Sequence, residues 1–419
     1  MECPPVSRVL VAARALKHKL TLLTAFGTVW PAAVRGGKML ARGRFREFGR
    51  KLFNEMDDVR AAAVAARTGP RVFLAGHVVG LGGYDHVVRA VLKGLLSSGV
   101  NVCRDRRALF RKDHIPLELR PTEAKRRDGE PRLAVCPPHH LKRYRPDRRT
   151  AAFTMWETDT LPEKAVEQLN RCGLVIVPSK WGAECFRKNG VETTIEVVPL
   201  GYDPAAFRAL PTPPPARPLT VFGTAGALDE GGLRKNVQRV INLFQVAFPF
   251  DTDVKLRVKI TPTSPPVETF GDPRVEVIDR PLSLADLADW YRSLSAFVNA
   301  SFGEGFGLHL LEAMACGRPL ISTRFGGVSE FFDAAVGYEV RHRLVTADNR
   351  IYQGRWANPS DRELVERMRV VRANPVEAAQ LGEEAAHRAQ SFTWDDTVRK
   401  LVIVLIRNGF LTSPPADLS

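Results

Sequence analysis

Residues 299–330, NASFGEGFGLHLLEAMACGRPLISTRFGGVSE, constrain what this chain can fold into more than any other stretch. An apolar run at 296–298 ends at the turn Gly303-Glu304-Gly305-Phe306-Gly307, and a helix-like segment at 308–316 follows. Gly317 and Pro319 give that helix a normal C-terminal stop, and 319–323 reads as a short buried strand leading to Gly326-Gly327. Glycines let backbone amides approach a ligand, and a helix that begins there adds its positive end, so a diphosphate is the natural guest. On the helix, Leu308, Leu311 and Ala315 share a face, and the 100° step places Glu312 in the same apolar arc. A carboxylate there is costly unless something pairs with it. Glu304 stands in the turn with seven residues between it and Glu312, so both can address one bound molecule. A core helix with an incidental glycine turn and a capped Glu312 is the blander alternative.

The Glu304 and Glu312 pair within EGFGLHLLEAMACGRPLI resembles the signature of the retaining family 4 glycosyltransferases, which have the GT-B fold of two Rossmann-like domains facing across a cleft. The resemblance implies that Glu304 lies beside the donor sugar. It places the backbone of Phe306, Gly307 and Leu308 against the diphosphate, and Glu312 on the ribose hydroxyls. It also implies a nucleotide-sugar donor, a glycan, lipid or protein acceptor, and no metal or other cofactor.

Length admits such a fold, because 419 residues suffice for two or three domains, each burying its own core. No apolar run is long enough to span a membrane; the longest uncharged early run, 20–34, is too short and contains Pro31. That stretch also lacks an obvious signal-peptide cleavage site. Six cysteines, Cys3, Cys103, Cys136, Cys172, Cys185 and Cys316, lack metal or disulfide spacing and read as mostly buried free thiols in a reducing cytoplasm. The formal charge of +15 is uneven, since residues 1–70 hold 13 Lys or Arg against 5 Asp or Glu, a net of +8. Residues 1–69 read as a basic helical extension in which Phe45, Phe48, Leu52, Met56 and Val59 form an amphipathic face. Packing on the catalytic body is favoured slightly over peripheral contact with an anionic inner membrane face. Specific nucleic-acid binding has no motif behind it.

The first Rossmann-like domain, the acceptor side, is expected over 70–203, opening with a strand at 71–79, a glycine turn and a helix at 84–96. That turn is either a ligand-free βα connection or, through the resemblance alone, a site containing Gly82 and Gly83. His139 and His140, after Pro137-Pro138, have no further ligand at metal spacing, and an exposed loop is the favoured reading. A strand at 151–156 ends in Glu157-Thr158-Asp159, where the carboxyl ends of parallel strands line the crevice. Many relatives have a histidine here, and Glu157 resembles a subset with a WE(T/S) strand end. Capping the helix at 162–169 is the alternative for Glu157, although Thr160 or Asp159 suits that role as well.

Proline dominates 204–218, the expected linker. The donor-binding domain is expected over 219–395, with a strand at 219–223, a turn Thr224-Ala225-Gly226, and Arg234-Lys235 before a helix at 237–248. Two cations at a helix start are unfavourable unless an anion lies nearby. Relatives clamp the diphosphate with an arginine and a lysine; Lys235 matches, Ala227 stands where the arginine is expected, and Arg234 is the candidate substitute. A crossover helix and tail, 396–419, is expected to return to the first domain. The expected activity is transfer of a sugar from a nucleotide diphosphate, with a catalytically silent GT-B protein that binds a nucleotide or glycan as the alternative.

Overall fold

The computed structural model describes residues 70–76, 82–105, 123–124, 126–210, 219–226, 234–262, 264, 266–347 and 351–412. The basic extension 1–69, Gly80, Ala227 and residues 211–218 of the expected linker lie outside the described residues.

The first sheet contains β1 (Arg71–Gly76), β2 (Asn101–Asp105), β3 (Glu123–Ala124), β4 (Arg132–Val135), β5 (Thr150–Phe153), β6 (Leu174–Val177) and β7 (Ile195–Val197). Its order is β3-β2-β1-β4-β5-β6-β7, and every pairing is parallel. Strands β4, β5 and β6 are buried at every position, which is why RLAV, TAAF and LVIV do not alternate in polarity. Helix α1 (Gly83–Ser97) follows β1, and α2 (Glu163–Leu169) and α3 (Lys180–Lys188) complete this layer. Ser179 caps α3, its Oγ accepting from the Gly182 amide at 3.0 Å.

The second sheet contains β8 (Thr220–Gly226), β9 (Val254–Ile260), β10 (Val275–Ile278), β11 (Ala296–Val298), β12 (Leu320–Ser322) and β13 (Gly337–Glu339). Its order, β10-β9-β8-β11-β12-β13, reverses direction between β8 and β11, and a parallel sheet opens its ligand crevice at such a switch. Strand β8 runs on through Gly226, so Thr224-Ala225-Gly226 is strand rather than the expected turn; its pairing with β9 continues to Gly226 opposite Ile260. Helices α4 (Val237–Ala247), α5 (Leu284–Arg292) and α6 (Leu308–Ala315) flank the sheet. Beyond β13 lies an antiparallel hairpin that the sequence reading missed, β14 (His342–Thr346) with β15 (Arg355–Pro359). Exposure on both faces of β14 leaves no alternating pattern to find there.

Helices α7 (Asp361–Ala373) and α8 (Pro375–Ala389) precede α9 (Trp394–Arg407), which packs on the first domain, while the tail 413–419 lies outside the described residues. Thr393 caps α9 by accepting from the Asp396 amide at 3.1 Å. On α1, Gly94 lets the two helices touch, because a Cβ there would lie 2.2 Å from Val398 Cγ2. Helix α9 thereby ties the second domain to the first.

Candidate active site

Glu304 is the centre of the cleft's second-domain wall. It is buried, with 5% of its surface exposed. Both carboxylate oxygens accept from Lys235 Nζ at 2.7 Å. Arg234 Nη1 lies 3.5 Å from Oε2 and donates to the Gly303 carbonyl at 2.9 Å. The anion that these cations require at the start of α4 is therefore Glu304 itself. Burial alone would raise its carboxyl, but the charges of Lys235 and Arg234 outweigh that and hold it well below the usual range. His309, with Nε2 at 3.9 Å from Glu304 Oε1, is pushed down to about 3 by burial and by Lys235. It is a neutral imidazole at pH 7.

Asn236, in the left-handed region at φ 51°, ends this cation loop and donates from Nδ2 to the Ala300 carbonyl at 2.8 Å. Gly226 faces the same loop, and a Cβ there would lie 2.9 Å from Lys235 Cβ. Its lack of a side chain lets Lys235 cross to Glu304.

Gly307 begins α6 at φ +97°, which an L side chain rarely adopts. The amides of Phe306, Gly307 and Leu308 donate to no protein acceptor among the described residues, and they stand at the start of that helix. An anion at this point would meet backbone donors and the positive helix end. Gly303 and Gly305 have another task than the ligand approach expected of them. A Cβ on Gly303 would lie 2.1 Å from the Glu157 carbonyl oxygen, and one on Gly305 would lie 2.5 Å from Met155 Cγ. These two glycines let the first domain pack directly against the turn.

One helical step further, Glu312 accepts a hydrogen bond from Tyr291 Oη at 3.0 Å. Tyr291, on α5, is the partner that Glu312's place in the apolar arc demanded. The hydroxyl is held well above its usual range by burial and by the Glu312 charge, so it stays a donor.

The first domain contributes Glu157 from the segment after β5. Burial raises this carboxyl to about 7; Arg234 and Lys235 favour its charged form, Glu304 opposes it, and a hydrogen bond from Tyr352 favours it again. Glu157 does not cap α2, whose first turn has no side-chain cap at all. Asp159 is engaged with Arg355 instead, at 2.9 Å. Nor are His139 and His140 in an exposed loop: they sit half-buried on a 3-10 turn, Pro138–Tyr144, and face the cleft. Their rings meet edge to face at 4.3 Å, and burial with neighbouring positive charge lowers His140 to about 4.

These groups surround one cleft of about 670 Å³. Gly82, Gly83, Tyr84, His139, His140 and Glu157 line it from the first domain. Gly226, Arg234, Lys235, Glu304, Phe306, Gly307, Leu308, His309 and Glu312 line it from the second, so every site residue expected from the sequence is brought together. Gly82 and Gly83 open α1, Gly82 donating its amide to Asp85 Oδ2 at 2.8 Å. Sequence reasoning missed Tyr84, Tyr291, His309 and Tyr352. Tyr84 accepts from the Met155 amide at 2.8 Å and donates to its carbonyl at 3.0 Å, across 71 positions of sequence, and no local signal marks such a contact.

Residues 222–350 match the family described as Glycosyl transferases group 1. A D-inositol 3-phosphate glycosyltransferase of Arthrobacter sp. is 35% identical over 118 residues, 28% of this chain and 24% of the relative. One from Nocardiopsis dassonvillei is 30% identical over 200 residues, 48% of this chain and 38% of the relative. The chain thus spans between about a quarter and two fifths of the length of these curated relatives. Among solved structures, a sucrose-phosphate synthase from Thermosynechococcus elongatus aligns over 81% of this chain and 99% of its own, with a TM-score of 0.59 at 17% identity. Anabaena HepE, solved in complex with UDP and glucose, aligns over 81% of this chain and 100% of its own, with a TM-score of 0.56 at 14% identity. The fold is GT-B, and the match to the group 1 glycosyltransferases falls in its second domain.

Proposed function

We propose that this chain transfers a glycosyl group from a nucleoside-diphosphate sugar to an acceptor hydroxyl in the interdomain cleft. The observation that carries this reading is the arrangement around Glu304. A buried carboxylate with two cations on it lies beside three unbonded amides at a helix start, with Glu312 and Tyr291 one step along. The amides and the end of α6 suit a diphosphate, and Glu312 suits the ribose hydroxyls. When the sugar–diphosphate bond breaks, negative charge grows on the leaving oxygen, and donors already aimed there stabilise it without reorganising. Lys235 and Arg234 add positive charge at the same place, and Glu304 supports the cationic sugar. Glu157 takes the acceptor side, where its carboxylate accepts the hydrogen bond of the incoming hydroxyl. The new bond joins that oxygen to the anomeric carbon, and the proton leaves with the diphosphate. Retention of configuration and independence from metal extend this reading through the resemblance of the Glu304 and Glu312 pair to the family signature.

Nucleotide release from a panel of UDP-, GDP- and ADP-sugars, with chelator present, tests the proposal. Wild-type protein should release nucleotide from one donor, and Glu304→Gln should lower that rate at least a hundredfold while nucleotide binding persists. Nucleotide binding without release from any donor, with glycan acceptors supplied, would favour the silent binding protein and overturn the enzyme.

A further inference from the structure

The β14–β15 hairpin belongs to the second domain by sequence, yet it docks on the first at the segment bearing Glu157. Arg355 donates its amide to Asp159 Oδ1 at 2.7 Å and its Nε to Oδ2 at 2.9 Å, and its carbonyl accepts from the Asp159 amide at 3.0 Å. Gln353 forms an antiparallel bridge with Thr160. Gly354, at φ +82°, fits only as glycine, since a Cβ would lie 2.3 Å from Thr160 Oγ1 and 2.5 Å from Asp159 Oδ1. On the other side of the segment Gly303 packs against the Glu157 carbonyl. Residues 155–160 are thus held between the Glu304 turn and the hairpin.

Tyr352 stands at the centre of this clamp and lines the cleft. Its ring lies 5.0 Å from Trp156 and 5.8 Å from Trp356. Arg234 Cζ sits 5.8 Å from its centroid, within cation–π reach. Tyr352 lines the cleft beside Glu157, packing on the adjoining Trp156, and its hydroxyl favours the charged form of the Glu157 carboxyl. One residue therefore faces both the carboxylic acid of the first domain and the cation of the second. It lies just past the segment matched to the family, which ends at 350.

We infer that Tyr352 is a positioning residue that holds Glu157 and Arg234 in one fixed geometry across the cleft. The inference rests on the proposed transferase reading for its consequence in turnover, but the contact itself can be tested without turnover. Charged or titratable groups face Glu157 from four other elements: Tyr84 on α1, Arg234 and Lys235 before α4, Glu304 in the turn, and Tyr352 beside β15. Of these, Tyr352 alone can be changed without altering charge in the Glu304 cluster or breaking the Tyr84 contacts with Met155. Its hydroxyl donates to the ionised carboxylate and favours that form.

Tyr352→Phe keeps the ring and removes only the hydroxyl. Infrared titration of the protonated carboxyl band, assigned by its loss in Glu157→Gln, should show Glu157 releasing its proton at higher pH in Tyr352→Phe than in wild type. Nucleotide release from the donor identified by the panel should fall about tenfold, the effect of one charge-assisted hydrogen bond, with nucleoside-diphosphate affinity unchanged within about twofold. The pH limb of that release should move upward with the carboxyl. An unmoved carboxyl midpoint, or release at the wild-type rate, would overturn the positioning role. Absence of release in the wild type from every donor would instead overturn the transferase reading, while the infrared comparison would still decide the contact.

Discussion

Glu304 and Glu157 are two carboxyls in one cleft, driven in opposite directions by their surroundings. Glu304 has Lys235 on both oxygens and stays ionised. Glu157 shares the same cations at longer range, feels Glu304 as a like charge, and is raised to about 7. Divergent acidities in neighbouring carboxyls are a common mark of divided roles. They also have a thermodynamic consequence. Folded Glu157 keeps its proton to about pH 7, whereas the unfolded chain releases it near the ordinary value of 4.5, so between these limits the folded state holds the extra proton. Stability from this group is complete below 4.5 and is lost as pH rises through 7. Glu157→Gln should abolish that decline, and its melting temperature relative to wild type should increase from pH 5 to pH 7.5. The slope removed can be no more than about 1.4 kcal/mol per pH unit, the limit for one proton. A difference that stays constant across that range would show that Glu157 carries no such shift. At this scale Glu304 and Glu312 were legible as carboxylates in and just after a glycine turn, and their roles, with that of Lys235, came from the resemblance to the family signature. Tyr291 and Tyr352 were not, since each reaches its carboxylate from a separate element and only folding joins them.

Elements meet at this site through missing side chains. The turn 303–307 has the glycines that ligand approach would need, and Gly307 stands at the start of α6, while Gly303 and Gly305 open the turn to the neighbouring domain. Gly303→Ala should therefore cost about 1–3 kcal/mol, the usual range for overpacking, because its Cβ would meet the Glu157 carbonyl at 2.1 Å and neither backbone can move away freely. Gly83→Ala, at the start of α1 with nothing within 4 Å of a new Cβ, should leave stability unchanged or slightly raised. Thermal unfolding of the pair checks this, and equal melting temperatures would refute the packing role. The parallel strands were readable as apolar runs because both faces are covered. The hairpin was not readable: β14 is exposed on both faces, and its anchoring partners Asp159 and Thr160 lie nearly 200 positions away.

Across the whole molecule, residues of both domains line one cleft, α9 packs on α1 of the first domain, and the hairpin joins the two domains again at residues 159–160. Two α/β domains were readable from apolar strands and helices on both sides of a proline-rich stretch, and their GT-B arrangement from the resemblance that the Glu304 and Glu312 motif bears to the family signature. The closeness of the two walls did not, because it depends on contacts between Gly303 and Glu157, and between Arg355 and Asp159, that no local pattern encodes. The proposed function depends most on a nucleoside-diphosphate site built on the amides at 306–308 with Lys235. Its most direct test is calorimetric titration of UDP, GDP and ADP into wild type, Glu304→Gln, and the double variant Glu304→Gln with Lys235→Met. The double variant avoids leaving either charge of the buried pair alone. The geometry predicts that one nucleotide binds wild type and Glu304→Gln comparably, and that the double variant binds it about tenfold more weakly or worse, as expected for a lost hydrogen bond to a charged group. Equal affinity in all three proteins, or loss of binding in Glu304→Gln alone, would contradict it.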